Sequence, residues 1–224
     1  MAKRNAFGEA ANGPGAKPHL FLFHAMGLNS AVWSPNAKAL SERFVVYAFD
    51  TIGDQVYVVG NSMGGWIANA AALYHPETIK AVALISPAVG IPKRMKWGSM
   101  IISMMVDQSE KNLRKISANL LGPYDAERDW ADYMTHAPKE TASAKLGIPS
   151  SFTDEELRSI HVPVLLLVGD SERIYADTRE VFTRAKSLMP DVICQTIPDA
   201  GHVGAYDNPE YVNSALIRFF LDPR

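Results

Sequence analysis

A serine on a turn, a histidine and a carboxylate lie far apart in this 224-residue chain, and together they could carry acyl transfer. Ser62 stands in the pentapeptide Gly60-Asn61-Ser62-Met63-Gly64, after the apolar run VYVVG and before MGGWIANAAALY. A serine between a strand and a helix sits on a sharp, strained turn that exposes Oγ at the C-terminal edge of a sheet. The flanking glycines are expected to leave room where side chains would collide with the neighbouring strand and helix. A Gly-rich turn with an incidental serine is the competing reading of the pentapeptide, and the strand and helix around it weigh against that reading.

A serine hydroxyl needs a base to take its proton. His202, in DAGHVGAYDNPE, follows the last apolar run and precedes the final helix. His75 sits at a helix end before a proline, and His136 and His161 fall in or beside a helical middle segment. The base in turn needs a carboxylate to hold its tautomer. VGDSERIY offers both Asp170 and Glu172; one would orient the imidazole and the other would cap the loop or pair with Arg173. The developing oxyanion needs N–H donors. Met63, the residue after the serine, is one, and Met26 in His24-Ala25-Met26-Gly27 is expected to supply the second.

These residues have to be positioned by alternating strands and helices. HLFLFH (19–24), FVVYAFD (44–50), VYVVG (56–60), AVALISP (81–87), VPVLLLVGD (162–170) and VICQTIP (192–198) read as strands, rich in β-branched and aromatic residues. Helices are expected from Ser30 or Ser34 through Leu40, over Met63–Tyr74, over TREVFTRAKSLMP and over YVNSALIRFFL. Strand-helix alternation implies an α/β fold with a mostly parallel sheet flanked by helices. Residues 91–161 are helical in spacing with no convincing strand, which divides the chain into core 1–90, a helical lid insertion 91–161, and core 162–224. Within the insertion, Trp97, Met100, Met104, Met105 and Met134 could line an acyl pocket, methionine adapting to varied shapes; packing between lid and core is the alternative.

Composition narrows the function further. Apolar residues make up 47% of the chain and charged residues 21%, ordinary for a globular protein, and the net charge of −2 with no basic run argues against nucleic acid. Cys194 is the single cysteine, which rules out an internal disulfide and a cysteine-based metal site, and it reads as a buried small hydrophobe. No secretory h-region or membrane span is evident, so the expectation is a cytoplasmic protein with a small-molecule substrate and no metal or cofactor.

LFLFHAMG, VYVVGNSMGGW, ALISPAVG, PVLLLVGDSE and IPDAGHVGAYDNPE together resemble the α/β-hydrolase superfamily, specifically its lid-bearing, esterase-like branch of serine hydrolases. The order Ser62, acid, His202 matches that class. In such enzymes the acid commonly falls three residues after the glycine that ends its strand, which selects Glu172 over Asp170. The resemblance implies a serine hydrolase that cleaves an ester or related carbonyl substrate through an acyl-enzyme. Carbon–carbon bond hydrolysis and cofactor-free haloperoxidase-like chemistry use the same triad, and a non-catalytic ligand sensor or truncated relic is the alternative from another class. Ala25 stands where the family has a glycine, and the opening hairpin usual in the superfamily is reduced to a Gly-rich arm.

One feature conflicts with this fold. In it FVVYAFD and VYVVG run parallel on opposite sides of HLFLFH, yet only TIGDQ joins them. Five residues reach about 17 Å, whereas the return must cover roughly 17–20 Å of strand plus two spacings of about 5 Å. Local rules favour an antiparallel hairpin around IGDQ instead, which would carry Ser62 to the wrong end of the sheet. A crossover helix is therefore missing between Asp50 and Val56, through an omitted segment, a true deletion or a rearranged core.

Overall fold

A computed structural model describes residues 19–23, 34–49, 56–96, 98, 103, 106–107, 109–122 and 150–221. The chain forms two units, Met1–Asp54 and Gln55–Arg224, so the division falls inside the TIGDQ join. In the first unit β1 (His19–Phe23) and β2 (Val45–Phe49) pair in parallel, His19 opposite Val45 and Phe23 opposite Phe49. The helix α1 (Ser34–Ser41) lies between them in sequence. This is the parallel arrangement that requires a crossover, and the chain has room for one here.

The second unit holds β3 (Val56–Asn61), α2 (Met63–Tyr74), β4 (Ile79–Ile85), α3 (Glu110–Leu120), α4 (Asp154–Arg158), β5 (Val164–Gly169), α5 (Thr178–Leu188), β6 (Val192–Ile197), α6 (Gly204–Asp207) and α7 (Pro209–Leu221). Its four strands are all parallel in the order β3-β4-β5-β6. Among the described residues β2 bonds to β1 and β3 bonds to β4, each in a sheet of its own unit. Residues 50–55 themselves lie outside the described residues.

Side-chain alternation places the core of this unit. Val164, Leu166 and Val168 of β5 face a cluster with Ala68 and Ala72 of α2 and Val181 and Ala185 of α5. Leu165 and Leu167 face the other way, against Val212, Ala215 and Phe219 of α7. Every residue of β5 is buried, as expected for a central parallel strand covered on both faces. Burial of each such leucine or valine contributes roughly 1.5–3 kcal/mol.

The two described ends of the middle segment are fastened to this core. Arg184 of α5 is buried and donates to the carbonyls of Gly90, Ile91 and Phe152 and to the carboxylate of Asp154. That hydrogen bond holds the Asp154 carboxyl below its ordinary range. Trp66 of α2 stacks on Phe152 at 5.9 Å. A single antiparallel bridge, Met95 with Tyr175, is the one strand-like contact among the described residues of a segment expected to be wholly helical. Cys194 is only half-buried, on the flanking strand β6, rather than fully enclosed.

Candidate active site

Ser62 connects β3 to α2 with φ 53° and ψ −116°, a left-handed conformation that an L-residue adopts at a cost of about 1–3 kcal/mol. The surroundings over-determine it. The Ser62 N–H donates to Ile85 O at 2.9 Å, and Ser62 O accepts from Ala88 N–H at 2.8 Å. The Asn61 side-chain amide donates to Ile85 O at 2.9 Å and to His202 O at 3.0 Å, joining the turn to β4 and to the histidine loop. A Cβ on Gly60 would lie 2.0 Å from Gly64 O, so strand and helix close on each other only across a glycine. Gly64 differs from expectation: nothing among the described residues lies within 4 Å of a Cβ there. The second tight approach belongs to Gly65, against Pro87 at 2.9 Å.

Ser62 is also the N-cap of α2, yet its side chain makes no capping hydrogen bond. Its Oγ lies instead 2.9 Å from Nε2 of His202. On the far side of the ring, Nδ1 lies 2.8 Å from Oε2 of Glu172, whose side chain is fully buried. The other carboxylate oxygen, Oε1, accepts from the Ile174 N–H at 2.7 Å. The neighbouring Asp170 turns elsewhere: its carboxylate accepts from the N–H groups of Asp199 (3.0 Å) and Ala200 (3.3 Å), bracing the loop after β6. Arg173 does not pair with Glu172 but donates to Ala118 O of α3.

His202 is 5% exposed. The ring of Tyr175 meets its imidazole edge-on at 6.2 Å, and the Tyr175 hydroxyl donates to Pro87 O at 2.8 Å. Burial, with the nearby Glu172 charge adding to it, pushes the Tyr175 phenol well above its ordinary value, so it stays a neutral donor. The other described histidines, His75 and His161, are exposed. Tyr175 and Asn61 are contributors that sequence reading passed over. Asn61 carried a signal, a polar side chain closing an apolar strand; Tyr175 carried only its nearness to Glu172.

The Met63 N–H is the first of α2 and has no intrahelical acceptor, which leaves it able to meet an anion at a helix N-terminus. Met26, His136 and the expected pocket residues Trp97, Met100, Met104, Met105 and Met134 lie outside the described residues. Chemically, the hydrogen-bonded line from hydroxyl to imidazole to buried carboxylate can draw a proton from Ser62 and hold it as imidazolium. The carboxylate is shielded from water, which strengthens its pull on that charge.

The alpha/beta hydrolase family matches residues 50–215. Uncharacterized carboxylesterase nap of Bacillus subtilis is 31% identical over 94% of this chain and 81% of its own length. That match spans 248 residues, more than the 224 of this chain, so the relative carries internal residues without a counterpart here. The crystal structure of carboxylesterase CesB (YbfK) from Bacillus subtilis superposes with a TM-score of 0.65 at 26% identity, covering 95% of this chain and 86% of that one. Naproxen esterase (carboxylesterase NP) from Bacillus subtilis gives a TM-score of 0.62 at 27% identity, over 93% and 85% of the two chains. With its parallel sheet, its strained serine turn and these relatives, the chain belongs to the α/β hydrolase family, in the esterase-like branch, and is a hydrolase of that type.

Proposed function

We propose that the protein hydrolyses carboxylic esters of small molecules through an acyl-enzyme, with Ser62 as nucleophile, His202 as general base and acid, and Glu172 as its orienting carboxylate. The observation that carries this reading is the unbroken line Ser62 Oγ to His202 Nε2 at 2.9 Å and His202 Nδ1 to Glu172 Oε2 at 2.8 Å. The carboxylesterase relatives support the substrate class.

His202 accepts the Ser62 proton as Oγ bonds to the ester carbonyl carbon. The carbonyl oxygen becomes an anion that the Met63 N–H receives. Collapse of this intermediate breaks the C–O bond to the alcohol, which takes the proton from His202 as it leaves. Water repeats the sequence on the acyl-enzyme and releases the acid. Glu172 stays ionised throughout and stabilises the imidazolium.

Segment 91–161 fits a covering role over the core. What supports this is the fastening of its described ends by Arg184 and by the Lys96 N–H, which donates to Ile174 O at 2.7 Å. A fluorophosphonate probe tests the whole reading. It should label the wild-type protein and not Ser62→Ala, whose p-nitrophenyl ester turnover should fall about 10⁶-fold. A folded protein that never labels would instead be the ligand sensor or relic.

A further inference from the structure

Asp207 closes α6, five residues after His202, and is 6% exposed. Both hydrogen bonds to its carboxylate converge on one oxygen. Oδ2 accepts the N–H of Gly201 at 2.7 Å and the N–H of Gly122 at 2.8 Å. Gly201 immediately precedes His202, and Gly122 lies just beyond the end of α3. The His202 N–H itself donates to Leu120 O, in the last turn of α3, at 2.7 Å. The contact is too close for any side chain at position 201, where a Cβ would stand 2.6 Å from Leu120 O. The histidine loop is thus clamped to the end of a helix from the middle segment, by its own N–H and by the carboxylate.

An anion is a stronger acceptor than a neutral oxygen, and the lengths of 2.7 and 2.8 Å suit a charge-assisted bond. The cost is visible on the other oxygen: Oδ1 is buried with no hydrogen-bond partner among the described residues. A loop that needed only packing would be served by an apolar side chain here, without that desolvation.

We propose that Asp207 is a positioning residue for His202, whose single shared acceptor oxygen seats the base's loop on the end of α3 and so holds Nε2 at Ser62 Oγ. The proposal rests on the Ser62–His202–Glu172 reading and makes α3 part of the histidine's mount. Asp207 hydrogen-bonds to none of the three side chains, so its effect passes through the backbone of Gly201.

Three variants test it. Asp207→Ala removes the shared acceptor, and a displacement of the base on the order of 1 Å should lower kcat on a p-nitrophenyl ester by roughly 10–100-fold, KM staying within about threefold. Asp207→Asn keeps an oxygen able to accept both N–H groups and should hold kcat within about threefold of wild type. The His202 Nδ1–H proton resonance should persist in Asp207→Asn and broaden or vanish in Asp207→Ala. Asp207→Ser, with an acceptor too short to reach both N–H groups, decides the case if Asp207→Ala does not fold; it should show the same loss of kcat. The proposal is overturned if the folded Ala or Ser variant keeps wild-type kcat, or if Asp207→Asn loses as much as they do. Failure of Ser62→Ala to abolish labelling would sink the triad reading itself, a different result from wild-type kcat in an Asp207 variant whose Ser62 still labels.

Discussion

Replacing Glu172 by Gln should trap the histidine in the wrong tautomer, because of the Ile174 N–H. That group donates to Oε1 at 2.7 Å while Oε2 faces His202 Nδ1 at 2.8 Å, inside a fully buried side chain. A carboxylate accepts from both. A glutamine has one oxygen and one NH₂, and the Ile174 N–H cannot accept. The oxygen therefore goes to Ile174 and the NH₂ to Nδ1, which must then carry no proton. The imidazole hydrogen sits on Nε2 and points at Ser62 Oγ, so the base has no lone pair for the serine. The opposite amide orientation sets two donors against each other in a buried site, at about 1–3 kcal/mol. Loss of the charged acceptor for the imidazolium adds about 1.5–3 kcal/mol. Together these amount to roughly 2.5–6 kcal/mol, or about 10²–10⁴-fold in kcat at 1.36 kcal/mol per decade. Steady-state hydrolysis of a p-nitrophenyl ester measures it, and fluorophosphonate labelling should slow in parallel. The thermal midpoint should stay near wild type, since every donor in the substituted site still has an acceptor. Turnover within tenfold of wild type would rule out Glu172 as the orienting carboxylate, most plainly if Asp170→Asn abolished it instead.

Two further outcomes concern stability. Gly60→Ala drives a Cβ to 2.0 Å from Gly64 O, a backbone clash that no rotamer relieves, and should cost about 3 kcal/mol or more in urea unfolding. Gly64→Ala meets nothing within 4 Å among the described residues, inside a helix, and should be neutral or stabilising by up to about 1 kcal/mol in the same assay. The second outcome is a pH dependence at Asp207. Burial raises its carboxyl above the ordinary value, with the N–H bonds from Gly201 and Gly122 opposing that shift. The folded state therefore binds this proton more tightly than the unfolded chain, and stability from it is greatest at acid pH. It is lost as pH climbs from the ordinary carboxylate range through the raised value. Asp207→Asn does not titrate, so its melting midpoint relative to wild type should rise across that window and level off above it.

Much of the architecture was legible as local pattern. The strand runs, the helix over Met63–Tyr74 and the strand-turn-helix around Ser62 follow from β-branched runs, small apolar residues and glycine placement within a few positions of one another. The positions of Ser62 at the end of β3 and of His202 in the loop after β6 follow from the same pattern. The shortness of the TIGDQ join is legible in the sequence as well, because reach depends only on residue count.

What tertiary structure decided are the choices between chemically equal neighbours. Asp170 and Glu172 are two residues apart and both acidic; the residues alone leave the two open, the family spacing selects Glu172, and the fold turns Asp170 toward the Asp199 and Ala200 amides and Glu172 toward His202. Gly64 and Gly65 are adjacent, and only the packing of Pro87 shows which of them has a neighbour to avoid. Asn61, Tyr175 and Asp207 look incidental in the chain because their partners, the backbone of His202, the carbonyl of Pro87 and the N–H groups of Gly201 and Gly122, are assigned by folding. A local pattern specifies which residues are strands, helices and turns. The direction a side chain faces across a loop depends on hydrogen-bond partners up to 141 residues away, and those meet only when the sheet assembles.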